Sequence, residues 1–339
     1  MIHLPYFIHT CPPPCVPPLL THILAQMVDP TLYALPSGPS VSFDATLPAP
    51  DRPNTIPITH YKTDFAPTRT NLISVNDRLI VYAIKGGMIR VIEQNNALRT
   101  LLRGHTAPVK DLAFYSSTSD ILASTAEDDT IIIWRVFDRL LDVVDPETNA
   151  EYEIGTDMLL KINIPATRVV WHPTDPNKIL IVNGNDACLI TTTNLNTEST
   201  DTGTTCTPKS LTDLGPILSG HTMPITDVKF TANASHAITS SADGTVKLWD
   251  LATFACVRTI LPVLGPVTSV HFLHPADPTT AILIGTSNNS VLSTYTSPIT
   301  GTPALLQTLT MTNPNPQHLN VNVDATGEFV CIGEFPARA

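Results

Sequence analysis

The chain has 339 residues, enough for one large domain or two ordinary ones. Hydrophobic residues make up 42%, so a sizeable core can form, while charged residues reach only 14% against about 25% in ordinary globular proteins. A formal net charge of −11 argues against DNA binding and against direct RNA contact, both of which need clustered Lys and Arg.

Thirteen of the 31 prolines fall in residues 1–57. Proline fixes φ and removes an amide donor, so this stretch reads as an extended, mostly disordered leader ahead of a domain over 58–339. His9, Cys11 and Cys15 superficially resemble metal ligands, but three prolines stiffen the segment and no second ligand pair follows, so no metal or cofactor site is read. The six cysteines mostly sit in apolar strand contexts, the pattern of reduced, buried thiols. No run of 18 or more apolar residues occurs, so no membrane contact is expected.

From residue 58 the pattern changes to short alternating segments. Residues 71–75, 78–84, 88–93 and 99–102 predict four strands, with Asn76-Asp77 and Gly86-Gly87 in the turns. A second set, of three strands, follows over 102–136, then an acidic insertion over 137–156 and a strand over 158–164. The third set reads RVVWHP (168–173), KILIV (178–182) and ACLIT (187–191). Residues 191–212 hold ten threonines and little that is apolar, and read as a long surface loop. The fourth set lies within 218–251, the fifth over 267–311, and two further strands over 319–323 and 328–333.

Two of these sets are copies of one another. Residues 218–251 (LSGHTMPITDVKF…DGTVKLWDL) and 102–136 (LRGHTAPVKDLAF…DDTIIIWRV) both open on Gly-His-Thr-x-Pro and both close with Asp, five residues, Trp. Repeats of this length decide architecture before propensity does. The Gly-His opening, the three strands and the closing Trp resemble a WD-repeat blade. The resemblance implies an all-β WD-repeat β-propeller of about five complete blades plus part of a sixth, from a ring usually seven-bladed, incomplete at its C-terminal side.

In that family His, Ser/Thr, Asp and Trp of a blade form a buried hydrogen-bonded chain. The resemblance puts it on His221, Thr239, Asp243 and Trp249, and on His105, Ser124, Asp128 and Trp134. An Asp-His pair could suggest general-base chemistry. Its recurrence at structural positions, without a nucleophile in view, favours a structural role and no enzyme activity. Neither a phosphate-cradling glycine loop nor a Gly-x-Ser-x-Gly elbow is present. Specificity on such a scaffold lies in rim loops. The candidate partner-binding positions near the turn aspartates are Thr106, Lys110, Glu127, Asp129, Thr222, Met223 and Thr226.

The order of features is more specific than the fold. NLISVNDRLIVYAIKGGMIRVI, then RTLLRGHTAPVKDLAF, RVVWHP, SGHTMPITDVKF through VKLWD, and HLNVNVDATGEFVCIGE resemble the N-terminal WD-repeat domain of the mRNA-decapping enhancer scaffolds, the Ge-1/Hedls/Varicose family. The resemblance implies a non-catalytic scaffold in cytoplasmic processing bodies that bridges decapping activator and decapping enzyme and promotes 5′-to-3′ mRNA decay. Its partners would be proteins or peptides, with oligomerisation residing in a C-terminal region outside this chain. The alternative is a generic WD-repeat adaptor, such as a ubiquitin-ligase substrate receptor or a signalling platform.

Overall fold

The alternating segments form strands throughout. The computed structural model describes residues 6–9, 40–44, 71–96, 98–141, 152–200, 203–260, 265–273, 281–296, 299, 301–312, 319–323 and 329–334. The proline-rich stretch contributes β1 (Tyr6–His9) and β2 (Ser40–Asp44); its remainder, Cys11 and Cys15 included, lies outside the described residues. The chain divides into two compact units, residues 61–220 and residues 1–60 with 221–339.

In the unit of residues 61–220, blade one is the antiparallel meander β3 (Ile73–Val75), β4 (Leu79–Ala83), β5 (Ile89–Glu93) and β6 (Arg99–Leu102). Blade two follows as β7 (Val109–Phe114), β8 (Ile121–Ala126), β9 (Ile131–Leu140) and β10 (Tyr152–Ile162). Blade three has β11 (Arg168–Trp171), β12 (Lys178–Asn183) and β13 (Asp186–Thr191). The chain then leaves as β14 (Glu198–Thr200) and β15 (Gly203–Cys206) before β16 (Ile217–Leu218) completes blade three against β13.

The apolar run in β9 shows why these strands are not simply alternating. Ile131 and Ile133 enter a core with Ile162 of their own blade and Trp171, Ile179 and Ile190 of blade three. Ile132, Trp134 and Val136 enter the other core, with Leu79, Val81, Ile89 and Val91 of blade one. A strand buried on both faces reads as a continuous hydrophobic run.

Two expectations are corrected here. The threonine-rich stretch is not a surface loop: β15 pairs parallel with β10, and β14 pairs with β15, so blade two becomes six-stranded. Cys206 from this stretch, and Leu214 just beyond it, are buried in the core between blades two and three. Ladder bonds come from the backbone, and β-branched threonine suits an outer strand, so few apolar side chains are needed. The acidic insertion, where described, is likewise paired strand. It extends β9 and β10 into a ribbon bearing Arg135–Asp157 and Arg139–Glu153 pairs, with Arg135 stacked 5.1 Å over Phe137. From the same ribbon Asp138 pairs with Arg78 (2.6 Å), and the Tyr152 hydroxyl donates to Glu93 (3.1 Å), fastening blade two to blade one.

In the other unit, blade four is β17 (Ile225–Phe230), β18 (His236–Ser241), β19 (Val246–Asp250) and β20 (Cys256–Ile260). Blade five is β21 (Val267–Leu273), β22 (Ala281–Thr286), β23 (Val291–Thr296) and β24 (Leu305–Thr312), with β2 parallel to β24. A last antiparallel pair, β25 (Leu319–Val323) and β26 (Phe329–Glu334), takes β1 on its edge. Ile238, Val246 and Leu248 pack with Val267, Val270, Phe272 and Ile284 between blades four and five. Among the described residues, five sheets of four or more strands and a three-stranded sixth give the all-β, blade-by-blade organisation expected of a WD-repeat propeller. Among the described cysteines, Cys188 and Cys206 are buried, whereas Cys256 on the outer strand of blade four is exposed rather than buried.

Candidate functional site

The repeated motif folds into the same constellation in both copies. In blade four the β18–β19 turn is Asp243-Gly244, and Gly244 takes the left-handed φ of 81° that this turn requires. The Asp243 carboxylate there accepts from the Thr222 amide (2.9 Å), the Thr245 amide (2.9 Å) and the Thr245 hydroxyl (2.7 Å). His221 Nδ1 lies 3.0 Å from the same carboxylate, and His221 Nε2 lies 2.8 Å from the Thr239 hydroxyl. Trp249 Nε1 donates to that hydroxyl at 2.8 Å. One proton assignment satisfies every bond: indole to Thr239, Thr239 to Nε2, and Nδ1–H to Asp243, with a neutral imidazole.

Blade two repeats the arrangement. Trp134 Nε1 donates to Ser124 (2.8 Å), and Ser124 meets His105 Nε2 at 2.7 Å. His105 Nδ1 faces Thr130 (2.9 Å) and Asp128 (3.3 Å), while Asp128 accepts from the Thr106 amide at 2.7 Å. Burial pushes the Asp128 carboxyl upward, but His105, the Thr106 amide and the Thr130 hydroxyl together hold it far below the usual carboxylate range. Asp243 behaves alike: burial opposes, and Thr245, Thr222 and His221 prevail, leaving it strongly acidic.

Ser124, His105 and Asp128 stand in the connectivity of a hydrolase triad. The chemistry does not follow from the connectivity. Ser124 and Thr239 are wholly buried and already accept an indole N–H, so neither oxygen can approach a substrate. Among the described residues no group of three or more His, Cys, Asp or Glu side chains is placed to hold a metal ion.

What the constellation does is fix a loop. In blade four it anchors the turn before β17, where Ser241 donates to the Met223 carbonyl (2.8 Å) and the Ala242 amide to the Pro224 carbonyl (3.0 Å). On this immobilised backbone Thr222 and Pro224 are exposed and Met223 is 48% exposed. In blade two the Glu127 amide bonds the Pro108 carbonyl (2.9 Å), and Thr106, Glu127 and Asp129 are exposed beside half-buried Lys110. Thr226 does not belong with them. It is half-buried, and its hydroxyl donates to the Val267 carbonyl (2.8 Å), joining blade four to blade five.

Two aspartates that sequence reasoning left without a role stand beside these stations. Asp111 is wholly buried and accepts from the Asn71 amide (3.1 Å) ahead of blade one and the Val169 amide (2.8 Å) of blade three, with Arg168 at 3.9 Å. Asp227 accepts from its neighbour Val228 (2.8 Å) and from Val270 of blade five (3.2 Å), with Lys229 at 3.2 Å. These carboxylates clamp the first strand of one blade to that of the next. The signal was their identical position, six residues after the histidine in each repeat.

Comparison with known proteins follows the same residues. The family model of the WD40 region of Ge1, enhancer of mRNA-decapping protein, matches residues 53–259. Enhancer of mRNA-decapping protein 4 from Danio rerio is 31% identical over 124 residues, 35% of this chain and 9% of that protein. Its Xenopus laevis counterpart is 26% identical over 208 residues, 53% of this chain and 14% of that protein, so the match takes in a small part of either relative. COMPASS component SWD3 of Saccharomyces cerevisiae is 26% identical over 65% of this chain and 64% of its own. The crystal structure of the Myceliophteria thermophila Cps50 (Swd1) β-propeller domain superposes with a TM-score of 0.51 at 14% identity, over 77% of this chain and 78% of that one.

Proposed function

The chain belongs to the family of the Ge1 WD40 region, enhancer of mRNA-decapping protein, and on that premise we propose that it is a non-catalytic docking scaffold of the mRNA-decapping machinery. In this reading it works in the cytoplasm, in processing bodies, and holds decapping activator and decapping enzyme together so that 5′-to-3′ decay can begin. Its direct ligands are peptides or proteins rather than RNA, consistent with a net charge of −11.

The observation that carries this reading is the pair of immobilised turns. A buried hydrogen-bonded chain with no reactive access serves to hold the backbone around Thr222, Met223 and Pro224 in one unit, and around Thr106, Glu127 and Asp129 in the other. Preorganised loops lose little entropy on binding. An exposed methionine on a rigid tip is an apolar anchor in search of a pocket.

The test is affinity purification of the tagged chain from cells. Decapping factors are expected in the eluate, and Met223→Asp should remove them while leaving thermal stability within about 0.5 kcal/mol of the parent, as for ordinary surface changes. Recovery of ubiquitin-ligase subunits with no decapping factor would instead establish a generic adaptor. Salt-sensitive micromolar retention of capped RNA on filters would also defeat the proposal.

A further inference from the structure

The outer strands of blades two, four and five share one irregularity. Where each faces the aromatic residue that closes the third strand, Trp134, Trp249 or Tyr295, it inserts one extra residue. The extra residues are Leu159, Val257 and Leu306, and all three are exposed, at 37%, 51% and 39%. A bulge of this kind bends the strand and re-aims the edge that follows it.

Beyond the bulge the three blades differ. In blade two, β15 lies parallel on Leu160–Ile162 through Thr204, Thr205 and Cys206. In blade five, β2 lies parallel on Thr308–Thr312. The equivalent stretch of blade four is Arg258, Thr259 and Ile260, and among the described residues no strand pairs with its outer edge. Natural sheets blunt or cover such an edge. Arg258 is half-buried, and its Nε is sealed from water with no hydrogen-bond partner among the described residues. The two occupied edges show what fits. Opposite buried Ile162 and Leu309 stand Cys206 and Val41, and one residue earlier stand the hydroxyl residues Thr205 and Ser40. Two residues before each hydroxyl the sequence has glycine, Gly203 and Gly38. A Cβ on Gly203 would meet the Met158 carbonyl at 2.7 Å, and Cys256 takes the place of Met158 in blade four.

We propose that Arg258–Ile260 is a docking edge for a partner protein, taking an extended Gly-(Asp/Glu)-(Ser/Thr)-Val segment as a parallel fifth strand of blade four. Main-chain ladder bonds supply the attachment, and side chains at alternate positions supply the selection. Arg258 fixes the acidic residue. The occupant residue opposite it points to the same face of the sheet, where a carboxylate gives the guanidinium the acceptor it lacks. An uncharged residue there would desolvate the cation further without pairing it. Valine follows two residues later on that same face, beside Ile260, while the hydroxyl residue between them stands opposite exposed Thr259. A second copy of β20 does not meet these needs, because CVRTI contains neither carboxylate nor glycine.

The full chain is titrated against two fluorescein-labelled peptides, Ser-Gly-Glu-Thr-Val-Ser and the same sequence with Lys in place of Glu, with fluorescence anisotropy as readout. The Glu peptide should bind about tenfold more tightly, and less so as salt is raised. Arg258→Glu should reverse the order of the two peptides. A backbone test needs no protein variant. A strand bonds to one neighbour through alternate residues, so N-methylation of the peptide at Thr, or at Glu and Val together, should abolish binding in one case and spare it in the other. Maleimide labelling of exposed Cys256, located by mass spectrometry, should be fast in the free chain and slow about tenfold under saturating Glu peptide. Equal binding of the Glu and Lys peptides, or of both N-methylated forms, overturns the proposal. So does slow labelling of Cys256 in the free chain, which would mean that the chain or a second copy already covers this edge.

Discussion

Replacing Trp249 by alanine probes the constellation at its deepest point. The indole is 1% exposed, at the start of the hydrogen-bonded chain that ends on the Asp243 turn. Burying an aromatic side chain removes about 150–250 Å² from water, and at about 25 cal/mol per Å² that amounts to roughly 4–6 kcal/mol as an upper bound. Measured truncations of this kind cost about 3–5 kcal/mol, because the cavity collapses only in part. For a large domain this lowers the melting midpoint by roughly 6–20 °C. Trp249→Phe separates the contributions: it keeps most of the volume and loses the indole bond to Thr239, so it should cost about 1–2 kcal/mol. Far-UV circular dichroism during urea unfolding reads both variants, and Trp134 and Trp171 remain as fluorescent reporters. Equal midpoints for wild type and Trp249→Ala would refute the burial argument. A phenylalanine variant as damaging as alanine would show that the bond to Thr239, rather than the packing, holds the blade.

Acid should loosen both anchored turns. Asp128 and Asp243 titrate far below their ordinary 3.8 when folded, so their stabilisation is complete above about pH 4 and is lost as pH falls from there toward the folded values. Asp128→Asn with Asp243→Asn should be less stable at pH 7 and should flatten the stability–pH curve below pH 4; parallel curves for parent and variant would contradict this. Asp111→Ala leaves Arg168 without its buried carboxylate and two amides without an acceptor, so it should cost about 3–5 kcal/mol, with partial recovery when combined with Arg168→Met. Gly203 has φ 134°, and an added Cβ would stand 2.7 Å from the Met158 carbonyl, so Gly203→Ala should speed hydrogen exchange in β14 and β15 while β11–β13 stay protected. Uniform exchange across both sets would mean that β15 does not depend on that close approach.

Blade boundaries were legible because each depends on local chemistry. The four strands of blade one lie within two residues of their expected positions, since period-two alternation and the Asn76-Asp77 and Gly86-Gly87 turns act over a few neighbours. The Trp–Ser/Thr–His–Asp connectivity was legible through the family resemblance, and its geometry supplies what the letters could not, namely that Ser124 and Thr239 are sealed from any substrate. Illegible features share a different cause. The threonine-rich segment joins blade two by backbone ladder bonds, which leave no apolar signature. Thr226 looks like a rim residue until its hydroxyl is found on the Val267 carbonyl.

Asp111 and Asp227 make the point most sharply. Each appears in sequence as one more polar residue on a first strand, at a position that burial should forbid to a charge. The bonds that cross between blades are donated by the Val169 and Val270 main-chain amides, and an amide is identical at every residue, so the letters do not advertise those contacts. Only their recurrence at the same offset from the Gly-His opening betrays a shared constraint. The same bonds explain why the constraint is strict. A carboxylate that gathers amides from adjacent first strands sets the spacing between blades, and that spacing decides whether Ile131 and Ile133 meet blade three while Ile132 and Trp134 meet blade one. Buried charge here serves registry between repeats, where hydrophobic contact alone would permit neighbouring sheets to slide.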